Sequence, residues 1–411
     1  MPWPSRVAIS SRKPAVLTSD YRSADTTFVR AEPTAQGVNV IGFVSASLGL
    51  GSAARHTISS LVSSRVPVAA VDITLPDGRS GADQTWAHLN IRSTDALPHR
   101  INLVHLNPLH AVQVWQQFPA WFSQSVNAIV PFWELSVPPQ DWIPAIAMYD
   151  LMLAPTQHIA SVFRNLVSIP VRPYPLGVSS VQGNPSRSRF EIPPEAFAFV
   201  CAFDTDSGLN RKNSLGMIRA FDLAFHDDPT TVLVVKTNGL TKHPQLEELL
   251  ARLPRERYVV IRDYLPYADV LNLYASCDAF LSLHRAEGLG LGLLEAMSLG
   301  KPVIATGWSG NLDFMDETCA AMVRFTLVPV VDPHPEYSQT RFQQTAFWAE
   351  ADISHAVLQM RRVRQDADYR ETIGREARRR AQARNAEFAA PAAQLLGALL
   401  EEKNWQQKNA Y

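Results

Sequence analysis

Cysteine is scarce in this chain: three occur in 411 residues, at Cys201, Cys277 and Cys319. They are widely spaced, so neither a disulfide framework nor a zinc-ligand spacing emerges. Cys201 and Cys277 sit in apolar runs that read as buried strands, and a reducing compartment fits. Long apolar runs are also missing. No stretch of about eighteen apolar residues occurs, which argues against a spanning helix. The opening residues, MPWPSRVAISSRKPAVL, lack the apolar core of a secretory signal. The expected location is cytoplasmic, with room for peripheral contact at the inner face of a membrane. Net charge is nearly absent: 38 Lys and Arg against 39 Asp and Glu leave −1. No global basic field argues for nucleic acid as a partner.

What remains is an ordinary globular composition, 46% hydrophobic and 19% charged, at a length that calls for two or more domains. Residues 1–37 are polar with scattered prolines and read as a flexible leader. From residue 38 short apolar runs alternate with longer amphipathic stretches, the pattern of βαβ units and parallel sheets. The first half offers VNVIGFVSA, VPVAAVDI, INLVHL, NAIVPFW and LMLAPT as strands. The stretch 183–195, GNPSRSRFEIPPE, interrupts with Pro, Ser and charge and reads as a linker. The second half restarts with FAFVCAF, TVLVVKT, YVVIRDY, AFLSLH and PVIATG. The expected fold is α/β, with two Rossmann-like, doubly wound parallel-sheet domains facing a central cleft. Their bounds are 38–184 and 185–385, and a helix over 386–411 packs back on the first domain. The chain crosses back near Asn385–Pro391. Residues 354–384 are Arg-rich, but acids are interspersed, so they read as solvated helix. Trp115, Phe118, Trp121 and Phe122 form a helical aromatic face, for which core packing is the default.

In open parallel sheets, ligands bind beyond the carboxyl ends of the strands. Chemistry-bearing residues fall there repeatedly. Gly49 and Gly51 follow the first strand, His105 ends INLVH, and Glu134 follows NAIVPFW. Asp204 to Lys212 follow FAFVCAF, Lys236 ends TVLVVK, and Ser309, Gly310 and Asn311 follow PVIATG. The most informative segment runs from His284 to Met315, HRAEGLGLGLLEAMSLGKPVIATGWSGNLDFM. Glu287 and Glu295 stand eight apart, with Gly288, Gly290 and Gly292 between them. A strand, a glycine-rich turn and a helix N-terminus together suit a diphosphate. Tight packing alone could explain the glycines. It does not explain an acid in the turn, where it works against an anion site. Two acids flanking the turn suit a ligand with hydroxyls on both sides of its diphosphate, as in a nucleotide-sugar.

These residues resemble the retaining glycosyltransferases of the two-Rossmann-domain GT-B fold, of the family 4 type. The resemblance covers roughly residues 38–405. It rests chiefly on Glu287 to Glu295 followed by GKPVIATGWSGN, with support from GFVSASLGLGSAARH, FWELSVPPQDW, APTQHIASVF, VRPYPLGV and RKNSLGMIRAF. It implies a nucleotide-sugar donor, no required metal or other cofactor, and transfer with retained anomeric configuration. The acceptor implied is a carbohydrate or a lipid-linked saccharide, in polysaccharide or glycoconjugate assembly. GDP-mannose is the donor that the general look of the chain suggests. By the same resemblance Glu287 lies near the donor sugar and Glu295 binds the ribose. Backbone N–H groups of Gly288, Leu289, Gly290 and Leu291 face the diphosphate or sugar. Lys236 or Lys212 neutralises the diphosphate. Many members carry Gly-Arg directly after the first strand of the second domain, whereas this chain has AFDTDSGLNRKN, which leaves Arg211 as the candidate arginine. His105 is the candidate for contact with the donor sugar, and Gly49 and Gly51 are candidates for donor binding. Glu134 either lines the acceptor side of the cleft or caps the following segment. The catalytic set is then Glu287, His105 and Lys236.

Other readings stay open at this point. Asp204-Thr205-Asp206 looks like a divalent-metal motif, but turn and cap chemistry accounts for Asp, Thr and Ser there. A nucleotide-sugar epimerase of the same fold would use the same diphosphate grip. A non-catalytic nucleotide-sugar-binding subunit would be expected to have lost Glu287 or the basic residues. A dinucleotide-dependent dehydrogenase is disfavoured, because Asp72 is the only acid placed to meet a ribose after GLGSAA.

Overall fold

The computed structural model describes residues 34–408, apart from 76–80, 82, 92–95, 124, 180–181, 240–242 and 263. Side chains after Phe388 are not described, and the proposed leader lies almost wholly outside the described residues.

The first sheet is built from β1 (Thr34–Gly42), β2 (Val68–Asp72), β3 (His99–His105), β4 (Val126–Ile129), β5 (Leu151–Ala154) and β6 (Val171–Pro173). Helices α1 (Gly49–Ser63), α2 (Pro108–Gln117), α3 (Pro119–Phe122), α4 (Trp142–Ile146) and α5 (Gln157–Phe163) lie between the strands. The strand order is β2-β1-β3-β4-β5-β6, all pairs parallel. The second sheet comprises β7 (Phe197–Asp204), β8 (Thr231–Asn238), β9 (Tyr258–Ile261), β10 (Ala279–Ser282), β11 (Val303–Thr306) and β12 (Ala321–Val323). Its order is β12-β11-β10-β7-β8-β9, again parallel. Its helices include α6 (Leu209–Lys212), α7 (Ser214–Phe225), α8 (Pro244–Ala251), α9 (Tyr267–Ser276) and α10 (Leu291–Ser298). The strand order reverses between β1 and β3 in one sheet and between β7 and β10 in the other. Those switch points open the crevices where such sheets bind ligands.

The strands are apolar nearly throughout because helices cover both faces. The exception in the first sheet is a ladder of buried asparagines. Asn39 Nδ2 donates to Asn102 Oδ1 at 2.8 Å, and Asn102 Nδ2 donates to Asn127 Oδ1 at 2.8 Å. Asn127 Nδ2 ends the ladder on the Phe122 carbonyl at 2.9 Å. These residues are direct partners across β1, β3 and β4, so a one-residue slip would strand each amide in the core. The aromatic face of α2 and α3 packs inward: Trp115 stacks on Phe122 and Phe118 on Trp121, with Trp121 and Phe122 buried.

Two features add to the sequence reading. The linker stretch 183–195 is docked on α9. The amides of Asn184 and Ser186 bond Asn272 and Ser276 on α9, and Arg187 pairs with Asp278 at 2.7 Å. The final helix is not a separate element. After α11 (Ile353–Gln365), α12 runs without a break from Ala367 to Lys408. Its early turns pack on the second domain, where Gly374 meets Gly300 and Pro302. Farther along, Arg384 donates to the carbonyls of Pro155 and Leu176, the Asn385 side chain accepts from Val178 N, and Phe388 packs edge-on against Tyr174.

An antiparallel hairpin, β13 (Phe325–Pro329) and β14 (Phe347–Ala351), was not foreseen. Its long connection reaches the first domain. Gln140 N donates to the Arg341 carbonyl at 3.0 Å, Arg341 forks onto Asp141 at 2.8 and 2.9 Å, and Tyr337 and Phe342 pack around Trp133.

The asparagine ladder yields a test of the first sheet. Asn102→Ala leaves the buried Asn127 Oδ1 without its donor and takes one of two acceptors from Asn39 Nδ2, which keeps the His99 carbonyl. An unsatisfied buried group costs about 1–3 kcal/mol. Chemical denaturation should show a loss in that range, and a change below about 0.5 kcal/mol would refute the ladder's structural role.

Candidate active site

The segment after β10 is anchored on every side. Glu287 N donates to Ser309 Oγ at 2.8 Å, and Gly310 N donates to the Glu287 carbonyl at 2.9 Å. From the first domain, Thr156 Oγ1 donates to the Gly288 carbonyl at 2.9 Å while accepting from Ile159 N as the cap of α5. Ser309 adopts φ +76°, a left-handed backbone unusual for a residue with a side chain. A Cβ on Gly310 would lie 2.0 Å from the Gly288 carbonyl, so only glycine fits. Gly290, at φ +89°, opens α10 with no side-chain cap, which leaves the first-turn N–H groups to a ligand. Gly288 serves a different end. A Cβ there would press on the Trp133 backbone at 3.1 Å, so this glycine lets the two domains touch.

A chain of charges runs through this contact. Lys212 Nζ donates to Glu287 Oε1 at 2.5 Å, and Arg211 Nη1 lies 3.4 Å from Glu287 Oε2. On its other side Arg211 Nη2 lies 3.5 Å from Glu134 Oε1, and Tyr337 Oη donates to Glu134 Oε2 at 3.4 Å. Burial pushes the Glu287 carboxyl up, but Lys212 and Arg211 outweigh it and hold the group at about 2. Burial likewise works against the Arg211 charge, and Glu134, Tyr337 and Glu287 overcome it. Arg211 also donates to the carbonyls of Ser207 and Ala286, at 2.6 to 3.1 Å. It is buried and fully engaged, whereas Lys212 keeps 21% of its side chain exposed. The α6 turn is stitched to the Glu287 loop by Asn213, which donates to the Leu283 carbonyl, and by Arg285 N, which donates to the Arg211 carbonyl.

Glu295, on α10, accepts from Tyr267 Oη at 3.0 Å and lies 4.0 Å from His56 Nε2. His56 Nδ1 accepts from Ser179 N at 3.1 Å, which puts the ring proton of the neutral form on Nε2, facing Tyr267 Oη at 3.2 Å. So the helices that follow the two glycine clusters meet through His56, Tyr267 and Glu295.

The remaining candidates are placed as follows. Gly49 has open space where a side chain would stand, while a Cβ on Gly51 would strike the carbonyl oxygens of Ala46 and Phe43 at 2.4 and 2.6 Å. Lys236 is buried at the end of β8 and donates to Asn238 Oδ1, so Lys212 is the lysine seen paired with Glu287. His105 is 0% exposed, and neither ring nitrogen has a partner among the described residues. Burial pushes its imidazole down to about 3, so it is neutral. Contact with a donor sugar would need the surrounding chain to move. Asp204 Oδ1 accepts from Asp206 N, the turn chemistry expected, and no cluster of three metal-type ligands occurs among the described residues. Tyr337, Tyr267 and His56 carried no signal of their own. Thr156 alone could have been suspected, from its place before APTQH turns helical.

Residues 195–335 match the family described as glycosyl transferases group 1. Over that stretch the chain is similar to this family. It is 34% identical over 86 residues to the O-antigen biosynthesis glycosyltransferase WclY of Escherichia coli, covering 21% of this chain and 24% of that protein. It is 32% identical over 97 residues to the O-antigen chain mannosyltransferase B of Escherichia coli, covering 23% and 26%. The matched stretches thus span about a quarter of these relatives. By fold, the chain is similar to sucrose-phosphate synthase from Thermosynechococcus elongatus, with TM-score 0.66 at 15% identity over 89% of this chain and 100% of that one. It is also similar to Anabaena HepE in complex with UDP and glucose, with TM-score 0.61 at 12% identity over 89% and 100%. These likenesses show the GT-B fold.

Glu287 gives a pH test. Its folded value lies below the ordinary 4.5, so its stabilisation is fully present above 4.5 and is lost as pH falls through about 2. Urea titrations between those limits should show stability falling with acid in the wild type and a shallower fall in Glu287→Gln. Parallel slopes would show that the ion pair is absent in solution.

Proposed function

We propose that this protein transfers a sugar from a nucleoside diphosphate sugar to a carbohydrate or lipid-linked acceptor, with retained anomeric configuration, in glycan assembly. The observation that carries the reading is the ionised Glu287 beside Lys212 on the loop that opens α10, with Glu295 one turn along that helix. A breaking glycosidic bond puts negative charge on the leaving diphosphate. Lys212 and the first-turn N–H groups of α10 are placed to receive it without a metal. Arg211 acts one step back, orienting Glu287 rather than touching phosphate.

Glu287 holds no proton near neutral pH, so it does not serve as a general acid. Its carboxylate is already engaged by two cations, which blunts it as a nucleophile. Its reading is therefore electrostatic: it fixes Lys212 and borders the sugar as positive charge develops at the anomeric carbon. Glu295 is placed to accept ribose hydroxyls, sharing them with the hydroxyl of Tyr267. His105 and Lys236 keep only a supporting role. The relatives named for O-antigen work favour a polysaccharide setting, and mannosyl transfer by one of them supports a GDP-mannose donor. The neighbour holding UDP and glucose supports a UDP-sugar equally. A hydrolysis and thermal-shift panel of nucleotide-sugars separates these. An epimerase would interconvert the free nucleotide-sugar, and a binding subunit would leave it intact.

Two results are expected once the donor is known. Lys212→Met should lower kcat by about 100- to 1000-fold, whereas Glu295→Ala should chiefly raise the donor KM. A Lys212→Met enzyme of near wild-type kcat would remove Lys212 from the diphosphate. Dialysis against EDTA should leave the rate within about twofold, well short of the cost of a lost electrostatic element. Loss on chelation with recovery on manganese would instead support the Asp204–Asp206 motif.

A further inference from the structure

Behind the Glu287 loop, on the side where α12 crosses, lies an open groove of about 570 Å³. Its volume falls in the range of roughly 300–1,000 Å³ usual for ligand pockets. One wall is Trp308, partly exposed and set edge-to-face with His158 across the groove at 6.4 Å between ring centroids. Gln157 and Glu387 stand exposed at the rim, and Asp313 forms part of the lining. A partly exposed indole flanked by an amide and carboxylates suits a pyranose. A sugar's C–H face suits the aromatic ring, and its hydroxyls suit the polar groups of Gln157 and Glu387 at the rim. The mixed lining does not suit an acyl chain. Its cation, Arg384, is already held by Asp313 at 3.7 Å and by the Pro155 and Leu176 carbonyls, and Glu387 at the rim works against a phosphate.

The groove is coupled to the reaction loop at three points. Its lining residues Thr156 and Ser309 bond the Gly288 carbonyl and Glu287 N. His158 Nε2 donates to the carbonyl of Glu134, whose carboxylate holds Arg211. Burial keeps His158 neutral, against that backbone bond, so its other ring nitrogen is an acceptor.

The geometry points to a second saccharide site: this groove binds neutral sugar units of an oligosaccharide, separate from the donor pocket. It takes the already assembled part of the acceptor or product. This rests on the glycosyltransferase reading for its biological sense, though the binding itself does not. The test is calorimetric titration of the full chain with short gluco-, manno- and galacto-configured oligosaccharides, with UDP and GDP affinities measured on the same samples. One configuration should bind. Trp308→Ala should weaken it by at least about tenfold, and Gln157→Trp, which fills the rim, should do the same. Trp308→Phe should restore part of the affinity. Nucleotide affinity should change by less than about twofold in all three, which also shows that they fold. Absence of binding by every oligosaccharide, or binding that survives both Trp308→Ala and Gln157→Trp, overturns the groove. Absence of nucleotide binding in the wild type overturns the donor reading and leaves the groove standing on its oligosaccharide result.

Discussion

The charge chain from Glu134 through Arg211 to Glu287 and Lys212 is the constraint on which the rest of the site depends. Each of these groups would be costly to bury alone, because desolvation of an unpaired ion exceeds what packing returns. Together they are tolerable only if all keep their partners. That condition fixes several things at once. The α6 turn must sit against the end of β10, which Asn213 and Arg285 enforce. The loop after β4 must reach the second domain, which the absence of a side chain on Gly288 permits. Tyr337 must cover the outer end, which requires the β13–β14 connection. Such a network adds little net stability for its size, but it specifies one arrangement of two domains.

Apolar packing supplies the stability that the charges do not. One buried cluster joins β1 and α1 to Leu289, Leu293 and Met297 of the second domain. Another joins Trp133 and Trp142 to Tyr337, Phe342 and Trp348 of the hairpin region. The hairpin therefore acts on one side of the charge chain and α12 on the other. With two apolar seams and a continuous helix tying the domains, opening the cleft must expose apolar surface as well as ions. Large spontaneous excursions are accordingly expensive, and smaller motions of the loops that carry Lys212 and Gly290 cost less.

Much of this was legible in the sequence, for identifiable reasons. Alternation of apolar runs with amphipathic stretches reports parallel sheets, because strands covered on both faces need no polar residues. The Glu287–Glu295 segment was legible because strand, turn and helix are contiguous there, so local chemistry shows through. The β13–β14 hairpin was not. Its strands Phe325–Pro329 and Phe347–Ala351 are short and separated by a long connection, and their pairing is a tertiary fact. The partition between Arg211 and Lys212 was also hidden. Adjacent on α6, one points into the domain contact and the other stays reachable, and no composition rule distinguishes them. His105 shows the opposite difficulty. A strand-end histidine looks like a ligand group, and here its ring is fully buried.

The same physics explains why the two glutamates of the motif are not equivalent despite their symmetry in the sequence. Glu287 sits before the helix begins, where the only favourable charges are side chains, so its anion survives because Lys212 and Arg211 are brought to it from another loop. Glu295 lies within α10 and accepts from the Tyr267 hydroxyl of α9, which in turn faces the His56 ring of the first domain. A hydroxyl partner is exchangeable for a ligand hydroxyl at little cost, since one O–H donor replaces another. An ammonium or guanidinium partner is not, because removing it strands a buried charge. Position along one strand–turn–helix segment thus divides two identical side chains into one held by cations and one held by a hydroxyl.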